Sequence, residues 1–322
     1  VTDAALHQLL DILADHGYQF VAVAPETHTR VNRRPANAWA EDLRGVFGWS
    51  RPFQAGLLPD RLLRTMEAAG VLERNGEGFR STVRVSSLDG RLFLHSAFPT
   101  LEPEAVFFGP DTYRSTAAAL AHQERRPGTV RRIVDIGCGS GAIGLTLAAR
   151  YPEAELTMVD INDAALYLAR VNAAVAGLAP RSTALRSDLL TAVDGDFDLI
   201  VSNPPFMIDP MGRRYRDGGA HGYGLPVRVL EAAVDRLAPG GSLVLFSGTG
   251  IIDGEDPLRS EVTKRLEGTS YDWSYTEVDP DVYDEELDTP AYEHAERIAL
   301  IVVTVDRPDD GTVRAGRPDQ AS

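Results

Sequence analysis

The chain has 322 residues, 43% of them apolar and 25% charged, and a formal net charge of −15. This length allows two domains, or one large domain with an annex, while a single cysteine excludes an internal disulfide and a multi-cysteine metal site, so no metal is expected. With no run of about 18 apolar residues and no basic or apolar leader in the acidic opening "VTDAALHQLLDILADHG", the expectation is a soluble cytoplasmic protein with no membrane partner.

Leu6, Leu9, Leu10 and Leu13 recur at helical spacing and predict a first helix, with Thr2 as a cap and Gly17 as a stop. Residues 37–48 and 59–70 predict two more, the second opened by Pro59-Asp60 and closed by Gly70. Residues 71–96 hold two alternating runs joined by turns. Helices followed by a strand pair suggest a winged-helix-like domain over residues 1–109, serving substrate recognition or packing. Arg30, Arg33, Arg34, Arg44, Arg51, Arg61 and Arg64 fall close together, but neither the last helix nor the wing carries a dense cationic cluster. Residues 1–132 sum to +1, from 16 Arg and 15 acids. Residues 133–322 sum to −16, from 15 Arg, one Lys and 32 acids. Such a balance repels a phosphate backbone, and duplex DNA is not an expected partner. A linking helix over 110–131 ends at Pro127-Gly128.

From Arg132 short apolar strands alternate with amphipathic helices. Strands are expected at 132–136, 155–160, 182–187, 197–202 and 242–247, with helices at 142–151, 162–176 and 226–238. That order predicts an α/β fold, a doubly wound parallel sheet with helices on both faces. Two further strands, 271–278 and 297–305, flank a helical stretch at 285–296 and bring the sheet to seven strands over 132–305. The Asp-, Pro-, Gly- and Arg-rich tail 306–322 is expected to be disordered.

Gly139-Ser140-Gly141-Ala142-Ile143-Gly144 matches G-x-G-x-x-G, and Asp160 ends the second strand where a ribose-binding acid is expected. A nicotinamide dinucleotide would also satisfy this loop. Asp135 stands two residues before Gly137, where an anion is unfavourable beside a pyrophosphate and well placed for a cationic ligand. Asp188 follows the third strand, where it or a neighbour can read an adenine amino group. The pattern Asp135-x-Gly137-x-Gly139-x-Gly141, then Asp160, then Asp188, resembles class I S-adenosylmethionine-dependent methyltransferases from Arg132 to about Val305. The resemblance implies S-adenosyl-L-methionine as cofactor, held by Asp135, Gly137, Cys138, Gly139, Gly141, Asp160, Ile161, Asp188, Leu189 and Asn203. Cys138 has no basic neighbour in sequence to activate a thiolate and reads as a small residue in a crowded loop.

The fourth strand runs directly into Asn203-Pro204-Pro205-Phe206, and neither proline can donate to a ladder. This stretch resembles the [NDS]-P-P-[YFW] motif of methyltransferases that act on planar nitrogens. In that family the Asn and first Pro carbonyls accept N–H bonds from a nitrogen whose lone pair is delocalised. The resemblance makes Asn203, Pro204, Pro205 and Phe206 the catalytic residues, with Phe206 packing against the acceptor. The Gly-rich segment 207–224 follows and reads as a substrate lid, since long loops in compact domains are usually functional or disordered. Tyr215, Arg216 and His221 within it are candidate substrate contacts. Tyr113, in "FFGPDTYRST", is a candidate cover by analogy.

The whole layout resembles release-factor glutamine methyltransferases and ribosomal-RNA guanine methyltransferases, and their actinobacterial relatives. The expected activity is methyl transfer to a planar or amine nitrogen of a protein glutamine, an RNA base or a small metabolite. Two alternatives stand beside it: a nicotinamide-dependent oxidoreductase, and a non-catalytic winged-helix regulator that senses S-adenosylmethionine.

Overall fold

The computed structural model describes residues 3–126 and 128–309. Thr2, Pro127 and all but the first four residues of the 306–322 tail lie outside them.

The N-terminal part opens with α1 (Asp3–Asp15), which buries Leu6, Leu9, Leu10 and Leu13 on one face and places Asp3 in its first turn, favourable to the helix dipole. A polar helix, α2 (Pro25–Asn32), follows and buries only His28. The expected 37–48 helix shortens to α3 (Leu43–Phe47), capped by Asp42 accepting from the Gly45 N–H at 2.6 Å. Next comes α4 (Asp60–Ala68). The strand pair resolves into two separate hairpins, β1 (Leu72–Asn75) with β2 (Gly78–Ser81), and β3 (Val83–Leu88) with β4 (Arg91–Ser96). The linking helix is α5 (Pro110–Arg125).

A seven-stranded sheet forms the rest. It contains β5 (Arg132–Ile136), β6 (Glu155–Asp160), β7 (Ser182–Arg186), β8 (Phe197–Ser202), β9 (Leu237–Ile251), β10 (Asp272–Asp279) and β11 (Arg297–Asp306), in the order β10-β11-β9-β8-β5-β6-β7. β5 to β9 are mutually parallel, and β11 is antiparallel to both its neighbours. The connecting helices are α6 (Ala142–Arg150), α7 (Asp163–Val175), α8 (Gly224–Val234) and α9 (Pro257–Leu266). Alternate strand residues serve opposite faces, as period two requires. Ile133, Leu199 and Val201 pack with α6 and α7, while Val134, Ile200 and Leu243 pack with α8 and α9. No described helix is long and apolar enough to cross a membrane.

The N-terminal part is docked onto α7 rather than tethered beside it. Ala165, Leu168 and Val171 join the hydrophobic cluster of α1 and α4. Asn172 accepts from the Leu94 N–H at 2.9 Å and donates to the carbonyls of Leu94 and Ser140 at 3.1 and 2.9 Å. One buried amide thus pins β4 to the glycine loop.

The expected helix at 285–296 is absent. Two short 3₁₀ turns, Asp284–Glu286 and Pro290–Tyr292, stand there instead. Pro290 lacks the N–H that a continuous helix needs.

Candidate active site at the switch point of the sheet

From β5 the chain steps outward through β6 to β7, then returns to β5's other side with β8 and β9. Ligands of open α/β sheets bind at the carboxyl ends of the strands where the order reverses. Here the loops after β5 and β8 meet at that point, and Ser202 Oγ donates to Ile136 O at 2.7 Å to tie the strand ends together. A cavity of about 460 Å³ opens above them, within the size range of small-molecule sites.

The glycine loop forms one wall. Gly137 and Gly139 have φ of 68° and 53°, a backbone that side chains disfavour. A Cβ built on Gly137 would meet no atom within 4 Å, and one on Gly139 only Val106 at 4.0 Å. That open space is room for a ligand. Gly144 does the opposite: a Cβ there would approach the Asp135 side chain to 2.9 Å, so glycine lets α6 close on the strand. Asp160 accepts from the Gly139 N–H at 3.0 Å and the Asn162 N–H at 2.9 Å. The Ile161 N–H also favours the charged form, so of a carboxylate's about four lone-pair positions about one is left for a ligand.

Asp135 is 1% exposed. Its Oδ2 accepts from the Gly144 N–H at 2.9 Å and its Oδ1 has no partner. Burial pushes this carboxyl up to about 7, against the opposing Gly144 hydrogen bond and with help from Asp160. In an unfolded chain it would titrate at about 3.9. The folded protein therefore keeps a proton that the unfolded chain releases between those values. The stabilisation is full below the unfolded value and is lost as pH rises through about 7. Asp135→Asn should flatten the fall in stability seen in denaturant melts between pH 4 and 7. An unchanged slope would assign that fall to other groups.

The second wall is the turn after β8. Asn203 lines the cavity, and its Oδ1 is buried without a hydrogen-bond partner. Phe206 lines the cavity but is only 8% exposed. Its ring lies in T-shaped contact with Phe246 and over Gly248, where an added Cβ would come within 2.6 Å of the ring. Phe206 is thus a floor packed from below rather than a free stacking plate.

Segment 207–224 is ordered by its own contacts. Asp209 receives the Arg213 guanidinium at 2.6 and 2.9 Å and the Arg213 N–H at 2.8 Å. These bonds hold the Asp209 carboxyl below the usual range. Arg214 pairs with Glu104 at 3.0 Å, and Arg216 pairs with Glu286 and with Asp209 at 3.9 Å. Tyr215 stacks on Phe107 at 5.5 Å and donates to the Thr100 carbonyl at 2.7 Å. The loop therefore bridges residues 100–107 on one side and 283–286 on the other.

Of the sequence-derived candidates, Gly137, Cys138, Gly139, Asp160, Asn203, Pro204, Pro205, Phe206, Tyr215 and Arg216 line this cavity. Asp135 lies buried behind the loop, and Gly141 packs against Met158 under it. Five lie elsewhere. Asp188 pairs with Arg228 at 3.0 Å, and neither it nor Leu189 is among the lining residues. Ile161 is 44% exposed outside the lining. Tyr113 turns inward, accepting from the Ala22 N–H at 2.9 Å and packing edge-on to Phe108. His221 stacks on Tyr223.

Sequence reasoning missed several wall residues: Glu26 and Thr29 of α2, Phe98, and Tyr283, Glu285 and Glu286. Tyr283 has φ of 58° and donates from its hydroxyl to Asp111. No motif marks these positions. Pro290 could have warned that the segment carrying Tyr283, Glu285 and Glu286 is not a continuous helix.

Residues 101–252 match the family model "Methyltransferase small domain". The release factor glutamine methyltransferase of Bradyrhizobium diazoefficiens is 40% identical over 154 residues, covering 44% of this chain and 52% of that protein. The release factor glutamine methyltransferase of Rhodospirillum rubrum is 37% identical over 214 residues, covering 61% and 63%. The tRNA1(Val) (adenine(37)-N6)-methyltransferase of Aeromonas hydrophila is 40% identical over 129 residues, covering 38% and 54%. The chain thus spans between about half and two thirds of these curated relatives.

Proposed function

We propose that this chain is a class I S-adenosylmethionine-dependent enzyme that methylates a planar or amine nitrogen, a reading supported by the match of residues 101–252 to the methyltransferase small domain. The observation that carries the reading is the unpartnered, buried oxygen of Asn203, a residue that lines one cavity with the open glycine loop. A buried acceptor without a donor costs about 1–3 kcal/mol. Such a cost is expected where a substrate N–H completes the bond.

The residues also suit the cofactor. The space over Gly137 and Gly139 is open, and the Asp160 carboxylate lines it with an acceptor position left for a ligand hydroxyl. S-adenosylmethionine, when bound, supplies an electrophilic methyl group on a sulfonium. Asn203 Oδ1 and the Pro204 carbonyl accept N–H bonds from the acceptor. This orients its lone pair and favours the positive charge that develops on nitrogen. Pro204 and Pro205 fix the backbone in advance and lower the ordering cost. The proton leaves after transfer, so proximity and electrostatics carry the catalysis. A dinucleotide reading leaves the Asn203 oxygen unexplained.

The acceptor class is open to a protein glutamine, an RNA base or a small metabolite. The N-terminal arginines give little support to a regulator that grips duplex DNA. Arg30 pairs with Glu26 and Arg64 with Asp60, and Arg51 lies over Trp49. Filter binding should find no submicromolar affinity for nonspecific duplex DNA at physiological salt. Tight binding with a steep salt slope would reverse that. To test the function itself, labelled S-adenosylmethionine should be incubated with glutamine peptides, ribosomal RNA and small amides or amines. Nitrogen-linked label in one class, lost with Asn203→Ala, is the expected result. Label found only on carbon or oxygen would contradict it.

A further inference from the structure

Donors and acceptors are unevenly supplied in this cavity. Its three guanidinium groups are already committed, Arg213 to Asp209, Arg214 to Glu104, and Arg216 to Glu286. Its carboxylates are mostly engaged as well. Glu26 pairs with Arg30 at 2.8 Å, Asp111 with Arg114 at 3.1 Å, and Asp160 receives two backbone N–H groups. Glu285 differs in its charge balance. It is half-buried and lines the cavity, its own backbone N–H and Asp284 are its hydrogen-bond neighbours, and among the described residues it has no cation within ion-pair distance. Its charged neighbours are Asp284 and Glu286, both of like sign.

The Asn203 oxygen is an independent observation: a buried acceptor with no hydrogen-bond partner, on a residue that lines the same cavity. Both point to a guest rich in donors. We propose that the molecule methylated here carries a cationic amine or guanidine group, which Glu285 receives while Asn203 takes the N–H of the reacting nitrogen. The proposal rests on the methyltransferase reading and narrows its acceptor class. A half-buried carboxylate among like charges is costly to leave unpaired, and an incoming cation offsets that cost. A phosphate-bearing acceptor would face Glu285 with no uncommitted guanidinium to receive it. Glu285 is therefore a specificity-determining residue.

The test is a calorimetric titration of the full chain, first with S-adenosylhomocysteine to saturation and then with n-butylammonium, agmatine, butyramide or butyrate. The two cations should bind about tenfold or more tighter than the neutral amide, the scale of one hydrogen bond to a charged group. Butyrate should not bind. Glu285→Gln keeps the side chain's shape and should bring the cations to the amide's level while leaving S-adenosylhomocysteine affinity unchanged. Equal affinity for cation and amide, no cation binding, or an unaltered preference in Glu285→Gln overturns the assignment of Glu285 alone. Failure to bind S-adenosylhomocysteine in the first step overturns the methyltransferase reading and the assignment with it.

Discussion

Asn203→Ala should lower kcat by roughly a hundred- to thousand-fold while S-adenosylhomocysteine affinity and the melting temperature stay near wild type. The magnitude follows from removing one preorganised group aimed at developing charge, worth about 2.7–4 kcal/mol by analogy with an oxyanion-hole donor. The expectation for stability comes from the structure. The Asn203 oxygen bonds to nothing in the protein, so its removal deletes no intramolecular bond and relieves a desolvated polar atom. A residue that merely shaped the turn would show the opposite split, with lost stability and retained turnover. Asn203→Asp is the sharper probe. It keeps an acceptor oxygen and adds charge, so it should retain part of the activity, as the Asp variants of the motif suggest. Steady-state kinetics on the identified acceptor decide this. Wild-type turnover by Asn203→Ala would remove the role given to the motif.

Asp160→Ala should weaken S-adenosylhomocysteine binding by about 1.5–3 kcal/mol, the scale of hydrogen bonds to a charged group. The upper end is expected because the carboxylate does two things. It lines the cavity, and it holds the Gly139 and Asn162 N–H groups in place. Its loss would free the glycine loop as well as remove a ligand contact. Asp160→Asn keeps one acceptor oxygen and should fall between wild type and Ala. Unchanged affinity in Asp160→Ala, measured by calorimetry, would mean that the cavity wall at β6 does not touch the ligand.

Where the chain alternates strongly, its sequence was a good guide. The runs at 132–136, 155–160 and 197–202 are strands with those bounds, because Ile133, Val134, Leu199 and Ile200 are buried from both faces of a parallel sheet. Weak periodicity hid other elements. α2 buries one residue, His28, and so carries no apolar stripe. α9 buries only Leu258, Val262 and Leu266 among charged neighbours. β9 begins at Leu237, five residues before the expected start, since Pro239-Gly240-Gly241 reads as a break yet is absorbed at a register shift against β8.

The site divides in the same way. Residues fixed by backbone geometry were legible, because glycines at positive φ and a diproline after a strand leave few alternatives. Residues that reach the cavity through tertiary packing were not. Tyr283, Glu285 and Glu286 come from a segment some eighty residues beyond the motif. Conversely, Asp188 sits at the right point of the chain but spends its charge on Arg228, a partner set by the placement of α8.

The glycine loop can hold only one kind of nucleotide. Isothermal titration of the full chain with S-adenosylhomocysteine and, separately, with NAD⁺ decides it. Saturable binding of the first, weakened by Asp160→Ala, with no heat from the second, is the predicted result. Tight NAD⁺ binding with no response to S-adenosylhomocysteine would contradict it.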